Sequence, residues 1–152
     1  MERPPTIWID ADGSPVAVKQ MVFKASTRTK VPVMVVANRW QQTPKLQWIQ
    51  SIVVEGGLDV ADDYIADHCV AGDLVITSDI PLAARVVEVG ATVLRFRGEE
   101  LTETNVQQRL QVRDFFDELR GGGVQTGGPP PYGPKDKQRF ANGLDKWLAR
   151  QR

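Results

Sequence analysis

Cysteine is nearly absent: Cys69 is the only one in 152 residues. A single cysteine excludes an intrachain disulfide and a cysteine-built metal cluster. Net charge is missing too, with 19 Lys/Arg against 19 Asp/Glu, so bulk charge names no partner. No apolar run approaches the ~20 residues that a membrane-spanning helix needs. The chain enters its first apolar run almost at once, without a leader-like stretch, and the expectation is a cytoplasmic protein. No internal repeat is visible. What is present is ordinary for a soluble globular protein: 41% apolar and 25% charged residues. The length suits one domain, 1–152, able to bury roughly two-thirds of its unfolded surface.

The charges are unevenly spread. Residues 1–102 hold 13 acids and 10 Lys/Arg, while 103–152 hold 6 and 9. The chain is organised around Ile7–Ser14, where Ile7, Trp8 and Ile9 run straight into Asp10 and Asp12. Such a run reads as a strand buried on both faces, as in a parallel sheet. Gly13 and Pro15 break it, and Val16 to Ala25 carries helical spacing in Val18, Met21, Val22 and Ala25. Asp10 and Asp12 then lie at a strand's carboxyl end facing a helix, the edge where open α/β sheets bind ligands. One acid could serve as a cap, but Ser14 with Pro15 behind it is placed for that role. Two carboxylates so close repel unless a cation, a proton or a positive helix end offsets them. The simplest occupant is a divalent cation.

The pattern then repeats. Lys30–Ala37 reads as a strand ending at Asn38-Arg39-Trp40, and Trp48–Val54 as a third, ended by Gly56-Gly57. Asp59–Cys69 reads as a short helix with Asp59 as its cap, and Asp59 and Asp62 share one face. His68, the only histidine, sits late in it, where a positive side chain suits the carbonyl end. Asp73–Thr77 reads as a fourth strand, leading through Ser78-Asp79 to a helix over Leu82–Val89. Ala91–Phe96 is a fifth strand, closed by Arg97-Gly98-Glu99. This alternation predicts a parallel α/β sheet of about five strands with helices on both faces. Its crossovers would gather Asp10, Asp12, Asn38, Asp79 and Arg97 on one edge, with Asp59 and Asp62 close by.

The remainder, 101–152, reads as a helical extension of the 1–100 core. One helix runs from Asn105 to Arg120, with Val106, Leu110, Phe115 and Leu119 on its apolar side. A last one starts at Pro134, with Phe140, Leu144, Trp147 and Leu148 as its packing stripe. Trp147 reads as core rather than as a stacking platform for bases. Between them, 121–134 is rich in Gly and Pro, with three consecutive prolines, and Val124–Gly133 is expected to be an extended, mobile loop.

Several motifs together resemble one family. They are Asp10-Ala-Asp12, Gly57-Leu-Asp59-Val-Ala-Asp62 and Gly72-Asp-Leu-Val-Ile-Thr-Ser-Asp79-Ile-Pro-Leu-Ala. Arg97-Gly98, Arg113-Asp114 and Thr126-Gly127-Gly128-Pro129 follow. In order and over nearly the whole chain, they resemble the YaiI/YqxD family of largely uncharacterised bacterial proteins. The resemblance implies a fold like that of PIN domains, which are metal-dependent ribonucleases. It implies a three-layer sandwich in which Asp10 matches the first acid, Asp62 or Asp59 the helix acid, and Asp79 the acid after strand four. Asp12 belongs to the family's own Asp-Ala-Asp signature. Ser14 stands where members usually carry Cys. The usual fourth acid, past strand five, has no clean match; Glu99 and Asn105 are nearest.

The leading expectation is a hydrolase, a Mg²⁺- or Mn²⁺-dependent phosphodiesterase acting on RNA. Asp10, Asp12, Asp62 and Asp79 would be catalytic. Asp10, Asp59, Asp62 and Asp79 would hold the ion, since an all-carboxylate set favours Mg²⁺ or Mn²⁺ over zinc. Asn38, Arg39, Ser78, Arg97, Asn105 and Arg113 would meet substrate, with Arg120, Lys135, Lys137 and Arg139 meeting the phosphate backbone. Two alternatives remain open. One is RNA or nucleotide binding without cleavage. The other is an aspartate-nucleophile phosphatase, because the Asp10–Ser14 stretch also resembles the first motif of haloacid-dehalogenase-like enzymes.

Overall fold

A computed structural model describes residues 3–57, 59–123 and 130–151. The order is β1 (Ile7–Asp10), α1 (Val16–Thr29), β2 (Val33–Ala37), β3 (Ile49–Val53), α2 (Val60–His68) and β4 (Leu74–Ile76). Then come α3 (Ile80–Val89), β5 (Thr92–Leu94), β6 (Glu100–Leu101), α4 (Val106–Gly121) and α5 (Pro134–Arg150).

The strands form one sheet in the order β3-β2-β1-β4-β5-β6. Every pairing is parallel except β5–β6. The sheet therefore has one strand more than the residue pattern indicates. β6 is two residues long, too short to carry a period, and it returns antiparallel through the turn at Gly98. There φ is +98°, and a Cβ would stand 2.6 Å from the backbone carbon of Arg139. Glycine is thus required for α5 to dock on this turn.

Alternation along the buried strands builds two cores. Ile7, Ile9, Val33, Val35 and Ile76 face α1 and α5, where Val18, Val22, Phe140, Leu144 and Trp147 fill the space. Trp8, Val36, Val75 and Val93 face α2, α3 and the start of α4, meeting Ile65, Leu82, Val86 and Val106. Helices on both faces of the sheet make three layers, consistent with a PIN-like sandwich. Trp147 is core, as its stripe predicts.

Three local expectations are corrected. The helix α1 runs on to Thr29 and ends at left-handed Lys30, so β2 begins only at Val33, just past Pro32. Its cap position is Pro15, and the Ser14 hydroxyl caps nothing; it donates to the Pro15 carbonyl. The apolar side of α4 is fully buried only at Val106 and half-buried at Leu110 and Leu119, while Phe115 is 56% exposed and Val112 and Phe116 are exposed with it. Residues 124–129 and 58, which include the Thr126–Pro129 motif and most of the expected loop, lie outside the described residues. No helix among the described residues is long and apolar enough to cross a membrane.

Candidate functional site

The strand order reverses direction between β1 and β4: successive strands are added outward from β1 on one side, then from β4 on the other. The crevice beyond the carboxyl ends of two such strands is the ligand position of open α/β sheets. Asp10 ends β1, and Thr77-Ser78-Asp79 follow β4.

Thr77 joins the two ends. It is fully buried. Its hydroxyl donates to Asp10 Oδ2 at 2.8 Å and accepts the Asp79 backbone N–H at 3.0 Å. Asp79 Oδ1 caps α3 through the Leu82 N–H at 3.0 Å. Gly13, at φ +80°, turns the chain after Asp12, and Asp12 Oδ2 accepts the Asn38 N–H at 2.9 Å. Asp59 precedes α2 in a left-handed conformation, φ +65°, uncommon for a residue with a side chain. Its carboxylate makes no capping bond, against the expectation.

These placements bring Asp10, Asp12, Asn38, Asp59, Asp62 and Asp79 together around one cavity of about 210 Å³. Burial pushes the Asp10 carboxyl up to about 6; the charges of Asp79 and Asp12 add to this, against the Thr77 hydroxyl bond. Burial also lifts Asp62, to about 7, reinforced by the charges of Asp79 and Asp10 and by a hydrogen bond to Asp79. Two carboxyl groups make that bond only while a proton lies between them.

The donor set suits a hard divalent cation. The preformed geometry is less complete. Among the described residues no three Asp, Glu, His or Cys side chains are arranged as a metal-ligand group. The acids lie near enough to perturb one another's protonation without converging on one centre.

Raised acid pKa values have a consequence for stability. In the unfolded chain both groups titrate near 3.9. Between about pH 4 and 7 the folded state therefore holds more protons, and its stability falls as pH rises through that window. The expected result is a melting temperature lower at pH 7.5 than at pH 5 in chelator. Millimolar Mn²⁺ should recover more of it at pH 7.5 than at pH 5, since bound cation and bound proton compete. Calorimetry at the two pH values checks both.

A second cavity, of about 550 Å³, shares the Asp79 wall. It is lined by Ser78, Arg95, Arg109, Arg113, Arg120 and the apolar side chains of Ile80, Val112 and Phe116. Arg95 and Arg109 both grip Glu99, at 2.9 and 2.8 Å. Arg113 and Arg120 both reach Asp117. Four guanidinium groups thus line a groove that opens beside the carboxylates.

Ser78 and Arg113 line this groove, beside the cavity of acids. Other expected contacts are engaged elsewhere. Arg97 pairs with Asp136 at 3.0 Å, donates to the Pro130 carbonyl and lies 5.8 Å from the Tyr132 ring centre, tying the segment before α5 to the sheet. Asn105 accepts the Thr102 N–H and donates to the Glu100 carbonyl, so its amide holds the turn before α4. Glu99 is held by its two arginines and does not line the acid cavity. Arg39 is exposed and lines neither cavity, and Lys135, Lys137 and Arg139 on α5 line neither. His68 stacks on Tyr64 at 4.0 Å, away from the carboxylates.

Sequence reasoning missed Thr77, Arg95 and Arg109. Arg109, Arg113 and Arg120 are spaced four and seven apart, a helix stripe that was there to be read. Nothing in its neighbours marks Thr77 as the residue that joins two distant strand ends.

Comparison with known proteins agrees with the motifs. A UPF0178 protein of Pseudoalteromonas atlantica is 54% identical over 145 residues, covering 95% of this chain and 99% of that one. Another, from Xanthomonas campestris pv. campestris, is 51% identical over 145 residues, covering 95% and 91%. A third, from Shewanella sp. (strain MR-7), is 51% identical over 144 residues, covering 95% of each. The family model described as "Uncharacterized BCR, YaiI/YqxD family" matches residues 8–150, and the chain belongs to that family.

Proposed function

We propose that this chain is a Mg²⁺- or Mn²⁺-dependent phosphodiesterase acting on RNA. The observation that carries the reading is the cavity shared by five aspartates, where burial and the neighbouring carboxylates raise the pKa of Asp10 and Asp62. A divalent cation relieves that repulsion. When bound, it lowers the pKa of a coordinated water and neutralises charge building on phosphate.

Asp10, Asp62 and Asp79 hold the ion, and Asp12 and Asp59 complete the acidic rim. Thr77 fixes Asp10 against the turn that carries Asp79. The groove of Arg109 and Arg113 receives the phosphates on one side of the reacting one, because guanidinium forks match phosphate oxygens.

Binding without cleavage is the second reading, supported by the absence of a three-ligand metal group among the described residues. The phosphatase reading has less support. It needs a cationic side chain around the phosphate beside Asp10, and among the described residues no Lys or Arg lines the acid cavity.

The test is end-labelled single-stranded RNA incubated with the purified chain in Mn²⁺, in Mg²⁺ and in excess EDTA. Fragments are expected with either ion and none with EDTA. Intact RNA under all three conditions, with binding still detected by filter retention, would replace the catalytic reading with the binding one.

A further inference from the structure

The rim carries a feature that the phosphodiesterase reading does not use. Trp40 stands two residues past Asn38, which lines the acid cavity. With about 3.8 Å between successive Cα atoms, it starts within roughly 8 Å of that wall. Trp40 is 69% exposed. The other tryptophans are occupied: Trp8 and Trp48 donate to protein acceptors and Trp147 is in the core. Beside the Trp40 ring is a cavity of about 500 Å³, lined also by Gln42, Pro44, Lys45, Leu46 and Gln47. Arg39 and Lys45 make no ion pair among the described residues.

We infer that Trp40 is a stacking platform for an unpaired base of a single-stranded nucleic acid lying across the carboxyl edge of the sheet. The inference rests on the phosphodiesterase reading for the course of the strand. An exposed indole offers a π-face that any base covers. The side-chain amide of Gln42 offers donors and an acceptor to a base edge, and Arg39 and Lys45 offer charge to the backbone.

The sheet order gives the direction of travel. Trp40 follows β2, on one side of β1, while the arginine groove follows β4 and β5, on the other. A strand crossing the rim meets the indole first, the aspartates next and the guanidinium groups last. A base inside a duplex has both faces stacked already, so this arrangement selects unpaired nucleotides. Stacking alone does not separate RNA from DNA.

The test measures binding in the Asp10→Asn/Asp79→Asn background, where the proposed turnover is absent and two negative charges are gone from the rim. Fluorescein-labelled 10-mers of single-stranded RNA, single-stranded DNA and blunt duplex RNA are titrated at low salt. Single strands are expected to bind more tightly than duplex and to quench tryptophan emission. Adding Trp40→Ala should weaken single-strand binding about 10-fold or more. Trp40→Phe should restore most of it, and duplex binding should not respond.

Equal single-strand affinity with and without Trp40, or no detectable single-strand binding, would overturn the inference. So would duplex binding that depends on Trp40 to the same degree. The two readings fail separately. If Trp40-dependent binding persists but the unmodified chain never cleaves, only the catalytic reading falls. If the unmodified chain cleaves while Trp40→Ala binds normally, only the stacking platform falls.

Discussion

Asp73→Ala is expected to cost about 3–5 kcal/mol of folding stability, the usual effect of breaking a buried charged pair from one side. For a chain of this length that lowers the melting temperature by about 10 °C. The Asp73 side chain has no exposed surface. Its Oδ1 accepts from the Arg3 guanidinium at 3.0 Å and the Thr6 N–H at 3.0 Å. Its Oδ2 accepts from Arg3 at 2.7 Å, the Trp8 indole at 2.9 Å and the Val70 N–H at 2.9 Å.

The loss exceeds the sum of the visible contacts because alanine strands the Trp8, Thr6 and Val70 donors in a dry site. Arg3→Ala should cost less, since the Asp73 carboxylate left behind keeps its Thr6, Trp8 and Val70 donors. Burial raises the Asp73 pKa, but the Arg3 guanidinium and the Val70, Thr6 and Trp8 donors together hold it below the ordinary carboxylate value. Its stabilising effect is therefore complete above about pH 4, where the unfolded chain's aspartate is ionised, and is lost as pH falls further. Urea unfolding of the wild-type chain, Asp73→Ala and Arg3→Ala at pH 7 and pH 3 checks both the ranking and the sign. Equal midpoints for the two variants at pH 7 would contradict this account.

Replacing Asp10 and Asp79 by Asn is expected to move activity and stability in opposite directions. An amide introduced at position 10 still accepts the Thr77 hydroxyl, and Asn at position 79 caps a helix as well as Asp does. The substitutions therefore remove charge and leave the scaffold. On the proposed reading, loss of two anionic ligands should reduce Mn²⁺-dependent RNA cleavage by about 100-fold or more, equivalent to roughly 3 kcal/mol of lost transition-state stabilisation. In chelator at pH 7.5 the same variant should melt several degrees above the wild-type chain. It no longer buries a carboxylate at position 10 among others of like charge. The wild-type chain should gain thermal stability from Mn²⁺ and the variant should not. A variant that cleaves at the wild-type rate ends the metal reading. One that melts lower in chelator shows that the aspartates stabilise the apo fold.

Those two sets of acids look alike in the order of residues. Asp10, Asp73 and Asp79 all lie at the ends of short apolar runs. Asp73 is at the amino end of β4 and is neutralised by Arg3, seventy positions away. Asp10 and Asp79 are at carboxyl ends, and among the described residues no cationic side chain lines their cavity. Strand polarity separates the structural carboxylate from the candidate catalytic ones. Once parallel pairing is inferred, that polarity is legible; the Arg3 partner is not.

The arginines divide in the same way. Arg97 and Arg113 are both expected at the nucleic acid, yet Arg97 is spent on Asp136 while Arg113 lines the groove beside Asp79. The aromatic residues divide likewise. The spacing of Phe140, Leu144, Trp147 and Leu148 predicts a buried stripe and is right; similar spacing in α4 leaves Phe115 exposed.

By itself the sequence determined the α/β alternation, the strands buried on both faces and the presence of acids at strand ends. Each of these is a period or boundary within about ten residues, where backbone geometry alone links position to direction. The tertiary structure decided which distant side chains meet: Thr77 between Asp10 and Asp79, Arg3 on Asp73, Trp40 left in solvent. Those outcomes depend on how separated segments pack and compete for the same partners. No local pattern records that competition.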